Sequence, residues 1–132
     1  MSGLADGIDM TLPASPQAVY RRIDLDARVN GARPDQLVDL CYEQMIAALG
    51  TAIFAESREN NELKSQSLTR ALSAVTALQM GIDRNQPLGL ALAQVYGAAR
   101  HMILESALNF DAKALGAVRQ DIIDIQSAFR SS

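Results

Sequence analysis

Residues 34–58, PDQLVDLCYEQMIAALGTAIFAESR, carry the strongest signal for the fold, because their apolar residues recur every three or four positions along the whole segment. This spacing predicts an amphipathic α-helix. Pro34 and Asp35 suit its first turn, since proline has no N–H to lose there and a carboxylate complements the helix dipole. The helix carries two apolar lines: Leu37, Cys41, Met45, Ala48 and Ala52, and Val38, Tyr42, Ile46, Leu49 and Ile53. The second apolar line therefore needs a second surface to pack against.

A helix in the C-terminal half shows the same surplus of apolar surface. Its two lines hold Leu88, Leu92, Val95, Ala99 and Met102, and Leu90, Gly97, His101, Leu104 and Leu108. If the two helices lie side by side, their spare lines frame an apolar groove. Such a groove on a small protein usually marks a surface that binds another chain.

Two further helices carry one apolar line each. An asparagine of the Glu59 to Asn61 turn can cap the earlier helix, and Asp111 can cap the last one. Their lines are Leu68, Ala71, Leu72, Val75 and Leu78, and Leu115, Val118, Ile122, Ile125 and Phe129. Short turns between long helices make neighbours antiparallel. We therefore expect an all-α, antiparallel, up-down four-helix bundle with a short additional N-terminal helical segment.

The composition of the chain indicates how it is divided into domains and in which compartment it is expected. We expect residues 1–15 to be a flexible N-terminal tail, since Gly, Ser, Ala and Asp make up eight of these fifteen residues, and residues 16–132 to be a single helical-bundle domain. The formal net charge of -3 without a basic stripe argues against nucleic acid. One cysteine, no secretory signal and no run of about 18 apolar residues predict a cytoplasmic protein without membrane insertion.

The residues that could carry chemistry are sparse. The chain has one histidine, His101, and the pair His101 and Glu105 falls short of the three or four ligands of a zinc site. We interpret His101 as a partly buried structural residue, and Asp35, Asp39 and Glu43 as carboxylates that complement the helix dipole. The sequence predicts no enzyme, no catalytic residue, no metal and no cofactor. Two other functions stay open: a homodimerising helical interaction module and a histidine phosphotransfer-type signalling bundle.

From about Val19 to Phe129 the order of these signals resembles the flagellar export chaperones of the FliS family. The residues that carry the resemblance are Tyr20, Asn30-Gly31-Ala32-Arg33-Pro34, Asp35-Gln36-Leu37-Val38-Asp39-Leu40-Cys41-Tyr42-Glu43, Met80-Gly81-Ile82-Asp83, Leu92-Ala93-Gln94-Val95-Tyr96 and Ala128-Phe129. Gln44 replaces a glycine usual in the family, Ala98 replaces a frequent aromatic residue, and Phe129 replaces a tryptophan.

The resemblance implies a cytoplasmic chaperone that binds the disordered C-terminal segment of flagellin, prevents its premature polymerisation and assists its delivery to the flagellar type III export apparatus. Export apparatus components would be further partners, and the chain itself would be a monomer or a weak homodimer. We expect the groove to contain Tyr42, Ile46, Leu49, Leu92, Val95 and Tyr96, with Tyr20 and Ile23 as a displaceable lid. On this hypothesis Tyr96→Ala weakens binding and leaves helicity intact.

Overall fold

The computed structural model describes residues 34–131, which form four helices. These are α1 (Pro34–Ser57), α2 (Asn61–Met80), α3 (Pro87–Leu108) and α4 (Ala112–Ser131), and the described range contains no strand. The expected all-α four-helix bundle is confirmed. The tail and the N-terminal segment with Tyr20 and Ile23 lie outside the described residues, so the division at residue 16 stays a prediction.

Turn residues set the helix ends as their chemistry predicts. The Asn60 side chain accepts a hydrogen bond from the Leu63 amide at 3.1 Å, and Asp111 accepts one from the Ala114 amide at 3.0 Å. Both side chains satisfy amides that a first helical turn leaves without partners. A Cβ atom on Gly89 would lie 1.9 Å from the Asp83 carbonyl oxygen. Only glycine therefore allows the α2–α3 turn to fold against the start of α3.

The four helices pack in a ring, each against the next, with α4 closing onto α1. α1 and α3 are therefore diagonal, and the expectation that they lie side by side with a groove between them is wrong. The physical reason is topological, because short turns keep consecutive helices adjacent and leave α1 and α3 separated by the core. The packing between α3 and α4 is the least extensive of the four pairs.

The core confirms most of the apolar lines. Every residue of the first line of α1 is buried, as are Leu115 and Ile122 of α4. The line of α2 is buried at Leu68, Ala71, Val75 and Leu78. The second line of α1 is also largely enclosed, with Leu49 at 0% exposure. α1 therefore supplies apolar contacts to both of its neighbours, α2 and α4.

α1 is also long and apolar enough, over Gln36–Ser57, to cross a membrane by length and composition. The expectation concerned an unbroken run of about 18 apolar residues, and α1 contains none, because Asp39, Glu43 and Gln44 interrupt its apolar residues. The buried core helix of a bundle meets the same criterion, and α1 is such a helix here. A single helix of this kind is weak evidence for a membrane span.

Candidate partner-binding cleft

A mainly apolar cleft of about 430 Å³ opens at the end of the bundle where α1 and α3 begin and α2 and α4 end. We call it the end cleft. Its lining residues are Leu37, Val38, Cys41, Tyr42, Ala77, Leu78, Gly81, Ile82, Asp83, Gln86, Leu88, Gly89, Leu92, Tyr96 and Phe129. All four helices and the α2–α3 turn thus contribute, so the cleft exists only in the folded bundle.

The floor of the end cleft is a pair of tyrosines. Tyr42 and Tyr96 are 1% and 2% exposed, and their hydroxyl groups share a hydrogen bond across the core from α1 to α3. Burial raises the pKa of both phenols, so both stay neutral at physiological pH. The shared bond satisfies two hydroxyls that would otherwise be buried without a partner. The pair therefore joins α1 to α3 beneath the cleft.

The rim of the end cleft is apolar and open to solvent. Val38, Leu88 and Phe129 are 40%, 57% and 40% exposed. Phe129 stacks on Tyr42, with ring centroids 6.0 Å apart and an angle of 23° between the planes. This contact places the end of α4 over the floor. Exposed apolar side chains around an apolar floor are the pattern of a protein-binding site.

A polar cluster joins the end of α4 to the start of α1 beside this rim. Arg130 donates to Asp39 at 2.8 and 3.0 Å and to Glu43 at 2.6 Å. The buried Gln126 amide donates to the same two carboxylates at 3.2 and 3.1 Å. The hydrogen bond from Arg130, opposed by partial burial, holds the pKa of Asp39 below its usual value. The cluster keeps Phe129 in position over Tyr42.

Sequence reasoning missed this cluster. The sequence pattern led to the interpretation that Asp39 and Glu43 complement the helix dipole. In the structure both carboxylates accept hydrogen bonds from side chains of α4. The available signal was the spacing, since Gln126 and Arg130 are four residues apart on α4 and Asp39 and Glu43 are four apart on α1. Pairing the two sets still required knowing that α1 and α4 are neighbours.

A second apolar depression, of about 360 Å³, runs between α3 and α4. We call it the α3/α4 groove. It is lined by Gln94, Val95, Ala98, Ala99, Met102, Val118, Asp121 and Ile122. Ala98 stands where the FliS pattern often has a second aromatic residue, and a small side chain there contributes to the open space. The limited packing between α3 and α4 leaves this groove unfilled.

The structure does not bring all six predicted groove residues to one surface. Tyr42, Leu92 and Tyr96 line the end cleft, whereas Val95 lines the α3/α4 groove. Ile46 packs partly buried against the core, and Leu49 is inside it. Contact with a partner stays a prediction for all six. The rim residues Val38, Leu88 and Phe129 lay in the apolar lines, but only the fold shows that they border an opening.

The burial of Tyr96 also changes the expectation that Tyr96→Ala leaves helicity intact. Truncation to alanine would remove a buried ring and the partner of the Tyr42 hydroxyl. Tyr96→Ala is therefore expected to destabilise the bundle, by about 3 to 5 kcal/mol for a buried aromatic residue. It cannot serve as a clean test of binding.

The other chemically notable side chains are His101 and Cys41. The expected partial burial of His101 is wrong: its side chain is 72% exposed and lies 3.9 Å from the Glu105 carboxylate. The helix turns it outward because the core side of α3 carries Tyr96, Ala99 and Ile103 instead. Cys41, in the first apolar line of α1, is buried, which raises the pKa of its thiol to about 11.

The fold and the cleft define a small all-α four-helix bundle with an apolar, solvent-open cleft at one end. Within residues 34–131 no group of three or more His, Cys, Asp or Glu residues could hold a metal ion. Residues 16–132 match the family model described as flagellar protein FliS, and the chain belongs to that family. It is similar to the flagellar secretion chaperone FliS of Salmonella typhimurium, with 23% identity over 120 residues that cover 89% of each chain. These matches support a role as a flagellar secretion chaperone.

Proposed function

We propose that this protein is a cytoplasmic export chaperone for flagellin: it binds the disordered C-terminal segment of flagellin, prevents premature polymerisation and assists delivery to the flagellar type III export apparatus. The family membership and the relative's name support this proposal. The structural observation that carries it is the end cleft, with an apolar floor and the exposed rim of Val38, Leu88 and Phe129.

The end cleft suits an apolar anchor of a chain that folds on binding. An amphipathic segment docks by placing side chains at three- and four-residue spacing into a groove. The cleft volume of about 430 Å³ has room for side chains rather than for a folded domain. A disordered partner can present such side chains without first opening its own structure. The neighbouring α3/α4 groove offers a second apolar contact to the same segment.

The polar cluster of Asp39, Glu43, Gln126 and Arg130 supports the cleft by holding one wall. Since it ties the end of α4 to α1, Phe129 is already in position before the partner arrives. A preformed wall reduces the ordering cost of binding. We also propose that Tyr20 and Ile23 form a displaceable lid, which would lower the apparent affinity by the fraction of time that it is closed.

Two leucines of α3 provide a matched test. Leu88 lies on the rim of the end cleft and is 57% exposed, whereas Leu90 lies on the opposite side of α3 and is 54% exposed. We expect Leu88→Gln to weaken binding of a C-terminal flagellin peptide by about 30-fold, equivalent to about 2 kcal/mol for a binding hot spot. Leu90→Gln should bind as the unmodified chain does. Isothermal titration calorimetry measures both.

The calorimetry also reports the kind of binding. Coupled folding in an apolar site gives a negative heat-capacity change and a gain in helicity. Tyr20→Ala should increase the affinity if the lid is present. Equal binding by the Leu88→Gln and Leu90→Gln variants would contradict the end cleft as the site. The absence of binding by the unmodified chain and by Tyr20→Ala would contradict the flagellin proposal itself.

A further inference from the structure

The α3/α4 groove continues toward the α3–α4 turn, where a further depression of about 710 Å³ opens. Met102 lines both depressions, so the two form one surface, which we call the α3/α4 track. On the α3 side its ends are Gln94 and Asn109. At a rise of about 1.5 Å per helical residue these positions are about 22 Å apart, the length of roughly four helical turns. The track is therefore long enough for a helix of another chain.

The floor of the α3/α4 track is apolar and is not filled by the bundle itself. Val95 and Met102 of α3 and Val118 and Ile122 of α4 line its two sides, and Ala98 adds only a methyl group at its centre. The packing of α3 on α4 is the least extensive in the bundle. Side chains between packed helices normally interdigitate and leave few voids. The open space here has room for apolar side chains of a partner.

The rim of the α3/α4 track is acidic. Asp121 lies on the α4 side, and Glu105 and Asp111 lie toward the turn. No lysine or arginine lines either depression, and the remaining titratable side chain among the lining residues is His101, 3.9 Å from the Glu105 carboxylate. Between residues 34 and 131, Asp111 and Asp121 form no ion pair. The rim thus presents negative charge that the bundle does not compensate.

The lysine nearest to the turn does not change this charge balance. The Lys64 ammonium lies over the Phe110 ring, 5.2 Å from its centroid, but it is paired with the Glu56 carboxylate at 2.8 Å. The Asp111 carboxylate accepts a hydrogen bond from the Ala114 amide, which caps α4 without supplying a cation. Both contacts are local and leave the rim acidic.

An apolar floor between carboxylates is complementary to a helix that has Lys or Arg beside its apolar side. The apolar side would fill the space at Ala98, and the cationic side chains would lie beside Asp121 and Glu105. Lys and Arg suit this arrangement, because their aliphatic stems cover apolar surface while the charge stays in water. A helix with acidic edges would instead bring like charges together, which is unfavourable.

The α3/α4 track and the end cleft meet on α3. Leu92 lines the end cleft, and Val95, three residues further along the helix, lines the track. Residues three apart are neighbours on a helix surface. One partner can therefore occupy both sites without crossing the core of the bundle.

We propose that the α3/α4 track binds a basic amphipathic helix of the partner whose apolar anchor occupies the end cleft, and that Glu105, Asp111 and Asp121 select it by charge. This inference rests on the proposed function, in which the partner is the C-terminal segment of flagellin. The part of that segment that lies in the track accordingly carries Lys or Arg beside its apolar side chains.

Neutralising two carboxylates of the rim tests the charge selection. The rim variant, Glu105→Gln with Asp121→Asn, keeps the size of two exposed side chains and should leave the fold intact. The control variant, Glu59→Gln with Glu62→Gln, makes the same change in net charge. Its two positions are exposed near the start of α2 and line neither depression.

Calorimetric titration of the full chain with a C-terminal flagellin peptide measures the effect. We expect the rim variant to bind about fivefold more weakly at roughly 50 mM salt, since two exposed ion pairs are lost. The difference should shrink at roughly 500 mM salt, because ions screen such pairs. The control variant should bind as the unmodified chain does. Equal affinities of the two variants would overturn the inference and leave the flagellin proposal intact.

The direction of the change also tests the occupant. A basic segment of this chain itself, such as the one with Arg21 and Arg22, could cover the acidic rim. In that case the rim variant would release the segment and bind the peptide more tightly than the unmodified chain. A gain in affinity would therefore overturn the inference.

Ala98→Phe tests the apolar floor without changing any charge. The added ring occupies the centre of the track, and we expect about tenfold weaker binding of the same peptide. The thermal stability should not fall, because Ala98 is exposed and the ring adds apolar contact. Ala47→Phe is the control, at an exposed position of α1 that lines neither depression.

Unchanged binding by Ala98→Phe would overturn the track as the site of a helix. The absence of binding by both the unmodified chain and Tyr20→Ala would contradict the flagellin proposal, and with it the inference that rests on it. Normal binding by the unmodified chain together with normal binding by the rim variant and Ala98→Phe would contradict the inference alone. The two failures are therefore distinguishable.

Discussion

α1 and α3 have similar apolar patterns in the sequence but lie in different environments in the fold. Each carries two apolar lines, but α1 encloses most of its second line while α3 leaves three leucines of its second line in solvent. The difference follows from their neighbours. α1 packs extensively on α2 and α4, whereas the packing of α3 on α4 is the least extensive in the bundle. An apolar line is therefore buried only where a neighbouring helix reaches it.

The comparison separates two roles for apolar surface in one small bundle. On α1 the second line, through Tyr42 and Leu49, completes the core. On α3 the first line holds Leu88 and Leu92 at the end cleft, and Leu90, Leu104 and Leu108 of the second line remain exposed. Two apolar lines on a helix thus indicate either a helix buried between two neighbours or a helix with one exposed apolar side. The following measurements test this distinction.

The largest expected effect on stability in this comparison concerns Leu49, in the second apolar line of α1. Leu49→Ala removes a side chain that is 0% exposed and should lower the free energy of unfolding by about 2 to 5 kcal/mol. Leu104→Ala on α3, where the leucine is 42% exposed, should change it by about 0.5 kcal/mol or less. Urea unfolding followed by circular dichroism at low protein concentration compares the two. Equal losses would show that both second lines are core.

A smaller effect on stability concerns the hydrogen bond between the Tyr42 and Tyr96 hydroxyls, which joins α1 to α3. Tyr96→Phe leaves the Tyr42 hydroxyl buried without its partner, and we expect a loss of about 1 to 3 kcal/mol in unfolding free energy. The double variant Tyr42→Phe with Tyr96→Phe should cost less than the sum of the two single changes, because no hydroxyl is then left unpaired. Additive losses would mean that the two hydroxyls do not stabilise one another.

The smallest effect concerns the polar cluster, since Arg130 is half exposed and solvent screens such a pair. The hydrogen bond from Arg130 lowers the pKa of folded Asp39 below its unfolded value. Its contribution is thus complete above the unfolded pKa, about 3.9, and disappears as the pH falls through the lower, folded pKa. Arg130→Gln should be less stable than the unmodified chain at pH near 7, with the gap closing in acid.

Thermal unfolding at neutral and acidic pH measures this gap. The control is Arg100→Gln on α3, where the arginine is exposed and away from Asp39. Its difference from the unmodified chain should not narrow in acid in the same way. A gap for Arg130→Gln that is constant with pH would show that Asp39 does not depend on this arginine.

Much of the fold could be predicted from local sequence. Asn60 and Asp111 cap their helices as expected, because capping depends only on residues within one turn. The apolar line of α2 is core because a single line on a helix has one side to bury. Which residues line the end cleft and the α3/α4 groove was less predictable. Leu49 and Val95 share the same three- and four-residue spacing, yet one lies in the core and the other in the α3/α4 groove.

Periodicity and short, ordered motifs were enough to predict the four helices, the caps at Asn60 and Asp111, the apolar lines and the family resemblance. The packing of the helices against one another was needed to show that α1 and α3 are diagonal, that Arg130 reaches Asp39, and which side of α3 remains open. Periodicity shows that a helix has an apolar side, but the packing of neighbouring helices decides whether that side is core, cleft or exposed surface.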